Sequence, residues 1–194
     1  MRKFCLVLAL VLGVAAPVHA AKFGVSLGLG AGDSSAEFDS PSGSSRSDSD
    51  VQWTEFGFAL ATGAGGGART FTYRLDASGV RGEFNPDNGG DVDVTGVNIT
   101  NTFGFYVAQG PVGVWLGPAL NVGLGRFQDG GADGTYLAVG LAPTLGIDFN
   151  GSAMFSLSLS YRIQTATFEY DEMSLDGDLD TDELFLRAGL LWGD

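Results

Sequence analysis

Cysteine and histidine are almost absent: the 194 residues hold one of each, Cys5 and His19, both within the first twenty positions. Those twenty read as a signal peptide. Arg2 and Lys3 supply the positive start, Phe4 to Ala16 is apolar, and Val18-His19-Ala20 has the small-x-small form of a cleavage site. The expected division is therefore residues 1–20 as the signal and residues 21–194 as one domain. Cleavage removes the only thiol and the only imidazole, which excludes disulfides, zinc-thiolate sites and cysteine nucleophiles from the mature chain. Serines are plentiful, but a serine without a base is a weak nucleophile. No enzyme and no cofactor is expected.

Long apolar runs are missing too. A membrane helix needs roughly 20 apolar residues, and Gly, Ser, Asp or Asn interrupts every candidate after the signal. Basic residues are few: 10 Lys and Arg stand against 23 Asp and Glu, for a net charge of -13, and loss of Arg2 and Lys3 takes it to -15. Such a chain is unsuited to nucleic acid, whose phosphates call for Lys and Arg. Proline is limited to six residues, whereas glycine reaches 31, more than twice the roughly 7% of average proteins.

What the chain does have is period two, eight times over. Phe23, Val25, Leu27 and Leu29 alternate with small residues in a first strand, about Lys22 to Ala31; Phe56, Phe58 and Leu60 do so in a second, about Val51 to Ala61. Phe71, Tyr73 and Leu75 mark the third, and Val97, Ile99, Phe103, Phe105 and Val107 the fourth, where Asn101 alone interrupts the apolar side. The fifth and sixth carry Val112 to Leu124 and Leu137 to Phe149, the seventh Phe155 to Ile163, the eighth Leu184 to Trp192. Gly, Ala, Ser, Thr and Asn fill the other face with few charges, unlike a soluble barrel whose outer face must meet water. The pattern predicts a narrow polar lumen and a lipid-facing wall.

Connections after strands two, four and six are short, and those after one, three, five and seven are long and polar. Short turns belong to the periplasm and long loops to the exterior, which places both chain ends in the periplasm. The strand spacing, the segments Gly117-Pro118-Ala119-Leu120-Asn121-Val122-Gly123 and Gly140-Leu141-Ala142-Pro143-Thr144-Leu145-Gly146-Ile147, and Trp192 near the end resemble the small eight-stranded outer-membrane barrels of the outer membrane protein A, X and W kind. The resemblance covers essentially the whole mature chain. It implies an all-β, eight-stranded antiparallel up-and-down transmembrane β-barrel in a Gram-negative outer membrane, with outer-membrane lipids and the barrel-insertion machinery as partners. The implied role is structural or surface-interacting, with an unidentified extracellular partner. A passive channel or lateral-gate transporter for a small lipophilic or polar molecule is the alternative. Enzymatic barrels of this general kind rely on a histidine base, which the mature chain lacks.

Three constellations stand out. Twenty of the 23 carboxylates fall in the four long loops, and Asp176, Asp178, Asp180 and Asp182 stand at every second position before Glu183. They are candidate oxygen ligands for a divalent cation such as calcium; the alternative is that the segment extends strand eight upward. Glu55, Arg74, Arg162 and Arg187 share the inward parity of their strands, which predicts an ion-pair cluster plugging the tube, with an arginine-lined pore as the rival. Pro118 and Pro143 lie inside strands five and six at similar depth, each without a ladder donor. They mark either bends or a lateral seam between those strands. The segment Gly63-Ala64-Gly65-Gly66-Gly67-Ala68 fits a dinucleotide fingerprint but precedes a strand, so it reads as a turn.

Overall fold

The computed structural model describes residues 21–40, 43–63, 70–86, 91–129, 132–170 and 176–193. Eight strands, β1 (Ala21–Ser40), β2 (Gly43–Thr62), β3 (Phe71–Pro86), β4 (Val92–Ala108), β5 (Val112–Asp129), β6 (Ala132–Phe149), β7 (Ala153–Tyr170) and β8 (Asp176–Trp192), pair antiparallel in chain order. β8 returns to β1 and closes the barrel. This is the all-β, eight-stranded fold class expected from the alternation. The signal segment and most of the turn from Gly63 to Ala68 lie outside the described residues.

The register fixes the shape. Stepping across the strands from Phe23 leads through Leu60, Leu75, Asn101, Leu120, Leu141, Ile163 and Asp182 back to β1 at Asp33, an offset of ten residues. With a rise of about 3.3 Å per residue and strands about 4.8 Å apart, that offset gives a strand tilt of about 40° and a backbone radius of about 8 Å. Such a tube is wide enough only for its own side chains.

Strands are longer than the roughly ten residues expected from sequence. β1 and β2 reach 20 residues each, and the carboxylate-rich segments read as loops are largely their paired upper ends. One change of environment accounts for this. In the lower part, outward positions are apolar: Phe23, Leu27, Phe56, Phe58, Phe105, Leu116, Leu141, Leu159 and Leu186 are all exposed. Three aromatic pairs, Phe23–Trp192 at 6.1 Å, Phe71–Phe105 at 5.4 Å and Phe149–Phe155 at 6.1 Å between ring centroids, gird the end that holds both termini. The apolar belt stops at an outward row that includes Arg81, Thr95, Asp33, Gln52, Thr165 and Asp182, about 25 Å above the girdle, the height of a bilayer-spanning belt. No helix among the described residues is long and apolar enough to cross a membrane; here strands make the crossing.

Above that row the polarity of the wall inverts while the parity of the strands stays the same. Outward residues become Asp, Ser, Thr and Arg, and inward Val51, Phe84, Val94, Phe127, Tyr136, Ala138, Ala166 and Leu179 form a buried apolar cluster. Below the row the wall meets lipid and the interior is polar; above it the wall meets water and the interior is an ordinary hydrophobic core. The apolar residues of one strand therefore change parity at the crossing point. Trp53 packs edge-on against Phe84 at 5.4 Å, and Phe127 lies 4.9 Å from Phe168 and 4.8 Å from Tyr170.

Candidate functional site in the lumen

Charged side chains from four strands meet at mid-height. Glu55 on β2 accepts from Arg162 of β7 at 3.1 Å and from Arg187 of β8 at 2.5 Å. Arg162 also reaches Glu183 at 2.9 Å, and Arg187 reaches Asp76 on β3 at 3.3 Å. Neutral groups complete the layer. Asn98 donates to Glu55 at 2.8 Å, Ser78 donates to Glu55 at 3.1 Å, Gln164 donates to Glu183 at 3.0 Å, and Asn121 donates to Gln164 at 2.6 Å. Phe185 lies between the two arginines, with guanidinium carbons 3.9 Å and 5.1 Å from its ring centroid. The ring has room because β1 is bare there: a Cβ on Gly30 would come within 2.6 Å of Phe185 Cδ2.

A second layer lies toward the termini. Arg74 pairs with Asp148 at 2.5 Å, and the same carboxylate accepts from Tyr106 at 2.6 Å, Ser156 at 2.9 Å and Trp115 at 3.2 Å. Arg74 also stacks over Trp115, 4.3 Å from the ring centroid. A Cβ on Gly146 would overlap the Trp115 ring, so this glycine makes the space the indole occupies. Met154 and Leu191 pack with Ala59 and Ala61 in a small apolar cluster on the inward face. Leu191, which blurs the alternation of strand eight, thus belongs to the interior.

Of the four residues predicted to cluster, Glu55, Arg162 and Arg187 are in one network and Arg74 is in the layer below. Sequence reasoning missed Asp76, Asp148 and Glu183 as their partners. Asp148 and Glu183 carry the inward parity of strands six and eight, the signal that could have found them; Asp76 falls in the carboxylate count of the long loops, as Glu183 also does.

Pro118 stands directly opposite Pro143, and the β5–β6 register runs unbroken from Val112↔Phe149 to Asp129↔Ala132. Of the two readings of the prolines, a gap between those strands is not seen, because their register is continuous. The interruptions lie on either side: β4–β5 passes from Thr102↔Ala119 to Phe105↔Leu116, and β6–β7 from Leu141↔Ile163 to Thr144↔Ser160. In an antiparallel ladder successive amides point to opposite neighbours, so Pro118 withholds its donor from β4 and Pro143 from β7.

Asp178, Asp180 and Asp182 lie on the outward parity of β8, and Asp176 begins that strand. Asp50, Asp33 and Asp182 stand side by side across β2, β1 and β8, and with Asp48 and Asp180 they line a shallow outer recess of about 380 Å³. Thr165 donates to Asp180 at 2.7 Å. Among the described residues no three carboxylates, imidazoles or thiols are grouped closely enough to hold a metal ion.

Fold and site together define a class: a small eight-stranded transmembrane β-barrel whose lumen is filled by ion pairs. No protein-family model and no curated protein matches the sequence. Among solved structures, Neisserial surface protein A is similar at 14% identity, covering 86% of this chain and 98% of its own, with a TM-score of 0.35. Ail, the attachment invasion locus protein of Yersinia pestis, is similar at 14% identity over 87% of this chain and 99% of its own, TM-score 0.37. The outer membrane protease OmpT from Escherichia coli is similar at 8% identity over 94% and 99%, TM-score 0.45. At these identities the likeness is one of architecture.

Proposed function

We propose that this barrel is a non-enzymatic surface protein of the outer membrane, with both termini in the periplasm and its acidic upper strands outside, where it meets an extracellular partner. The observation that carries the reading is the filled lumen. Two ion-pair layers and an apolar core follow one another along the axis, so the interior is committed to holding the barrel closed. Asp148 belongs to that packing: it is fully buried and accepts from four side chains, Arg74, Tyr106, Trp115 and Ser156. The acidic wall of β1, β2 and β8 is the part that differs most from a passive anchor, and it repels the negative nucleic acids and lipid phosphates around it. Outer-membrane lipids and the insertion machinery are the remaining expected partners.

Intact cells test this reading. A membrane-impermeant maleimide should label Asp48→Cys without lysis and Asn150→Cys only after it. Replacing Asp33, Asp48, Asp50, Asp180 and Asp182 together by Asn should change adherence of expressing cells to a cationic surface while leaving assembly intact. Labelling of Asn150→Cys on intact cells would invert the topology, and unchanged adherence would remove the surface-interaction role.

A further inference from the structure

The mid-lumen layer is one positive charge short. Three carboxylates, Glu55, Glu183 and Asp76, share two guanidiniums, those of Arg162 and Arg187. Arg74 does not fill the gap, because Asp148 takes its charge in the layer below, and Lys22 is spent at the terminal end on the Gly193 carbonyl at 3.2 Å. Among the described residues the other strands bring no charge to this height. β1 presents the bare backbone of Gly28 and Gly30, β4 brings Asn98, β5 Asn121 and β6 the phenol of Tyr136. On the outer wall Asp33, Asp180 and Asp182 add further negative charge.

The two buried glutamates are satisfied unequally. Glu55 takes four donors, Asn98 and Arg162 on one oxygen, Ser78 and Arg187 on the other. Glu183 takes both of its donors, Arg162 at 2.9 Å and Gln164 at 3.0 Å, on Oε1 alone. Its Oε2 is buried without a hydrogen bond, in a residue only 1% exposed. That oxygen borders β1, where a Cβ on Gly30 would stand 3.3 Å from it, beside the Phe185 ring. An ionised carboxylate carries charge on both oxygens and calls for donors on each, whereas a neutral carboxyl keeps one accepting oxygen and one hydroxyl. A water beside Oε2 hydrogen-bonds it without balancing the charge. A buried charge left unbalanced is far costlier than a buried hydroxyl, so a group in this position takes up a proton.

We infer that Glu183 is a proton-binding site in the lumen: in the closed barrel a proton sits on Oε2, and the layer then holds two negative and two positive charges. Arg162 keeps Glu55 as its counter-ion and donates to Glu183 as to a carbonyl. An unfolded chain releases such a proton above about pH 4. The folded barrel therefore binds one proton more than the unfolded chain and loses stability as pH rises, until it too gives the proton up. This site is independent of the acidic outer wall and of the role proposed for it.

Infrared spectra of the barrel in lipid vesicles and heavy water test the site. At neutral pH the wild-type protein should show the carbonyl stretch of a protonated carboxyl, clear of the amide and carboxylate bands. Isotope-labelled glutamate should move that band, which sets Asp76 and Asp148 aside, and Glu183→Gln should abolish it. Because glutamine matches the neutral acid in shape, Glu183→Gln should be at least as stable as the parent at neutral pH. From mildly acidic pH upward, the parent's unfolding constant should rise relative to the variant's by up to about tenfold per pH unit. If Glu183→Gln does not assemble, the labelled wild-type band and its fading on alkaline titration still decide. A missing band at neutral pH, a band that survives Glu183→Gln, or a Glu183→Gln barrel with an unfolding constant about tenfold or more above the parent's at neutral pH would overturn the site.

Discussion

The Tyr73 hydroxyl donates to Asn101 Oδ1 at 2.6 Å on the outer wall of the barrel. Both residues have lipid-facing parity, yet they are only 6% and 7% exposed, and Phe103 covers the tyrosine ring at 5.5 Å. The one polar residue that breaks the apolar side of β4 is thus satisfied by its neighbour on β3. Tyr73→Phe should destabilise the barrel by about 1–3 kcal/mol, because the carboxamide is left unpaired where water cannot reach it. Adding Asn101→Leu should restore most of the loss. Urea unfolding in lipid vesicles measures both; a Tyr73→Phe protein as stable as the parent would contradict the pairing.

Glu55 holds two arginines, and its removal leaves both guanidiniums short of a partner in the barrel interior. Glu55→Ala should cost about 3–5 kcal/mol, the usual penalty for breaking a buried pair from one side. Arg74→Ala should behave as a separate defect, because Asp148 and its donors lie in another layer; the two losses should add. Strong coupling between Glu55→Ala and Arg74→Ala would mean that the layers are one network.

The prolines weaken different seams. Pro118→Thr should return a donor to the β4–β5 ladder and Pro143→Thr to the β6–β7 ladder, each stabilising by about 1 kcal/mol. Amide exchange should slow at position 118 against β4 and at position 143 against β7, with the β5–β6 amides unchanged. Slower exchange confined to the β5–β6 amides would relocate the weak seam between those strands.

The apolar upper core should behave as the interior of a soluble domain. Phe127→Ala, at a residue 3% exposed, should cost about 3–5 kcal/mol and open the outer ends of β5 to β7 to added protease on intact cells. Protection equal to the parent would mean that the upper strands are held by something other than this core.

Much of this was legible in the sequence, and the limits have physical causes. Strict alternation at Phe23 to Leu29 or Val112 to Leu124 carries strand number and inward parity, because lipid on one side and a narrow tube on the other leave a two-residue period no freedom; plug and arginine-lined pore stay equally compatible with it, since the radius comes from the register around the barrel. Strand length was not legible. Along β2 the apolar parity passes from Val51 and Trp53 to Phe56 and Phe58 as the wall moves from water into lipid, and a fixed parity loses the thread there. The partners of the arginines were hidden for a different reason: parity places a side chain inside, but depth depends on the ten-residue offset around the barrel, which no single strand carries. The similar depth of Pro118 and Pro143 was legible, since one hairpin register pairs β5 with β6, while the direction of the missing donors required the ladder itself.

Single-channel recording in planar bilayers tests the central claim, that side chains close this barrel along its axis. The wild-type protein should give no steady conductance at neutral pH and moderate voltage, and Glu55→Ala combined with Arg74→Ala should introduce brief openings. Stable, long-lived conductance from the wild-type barrel would contradict the account.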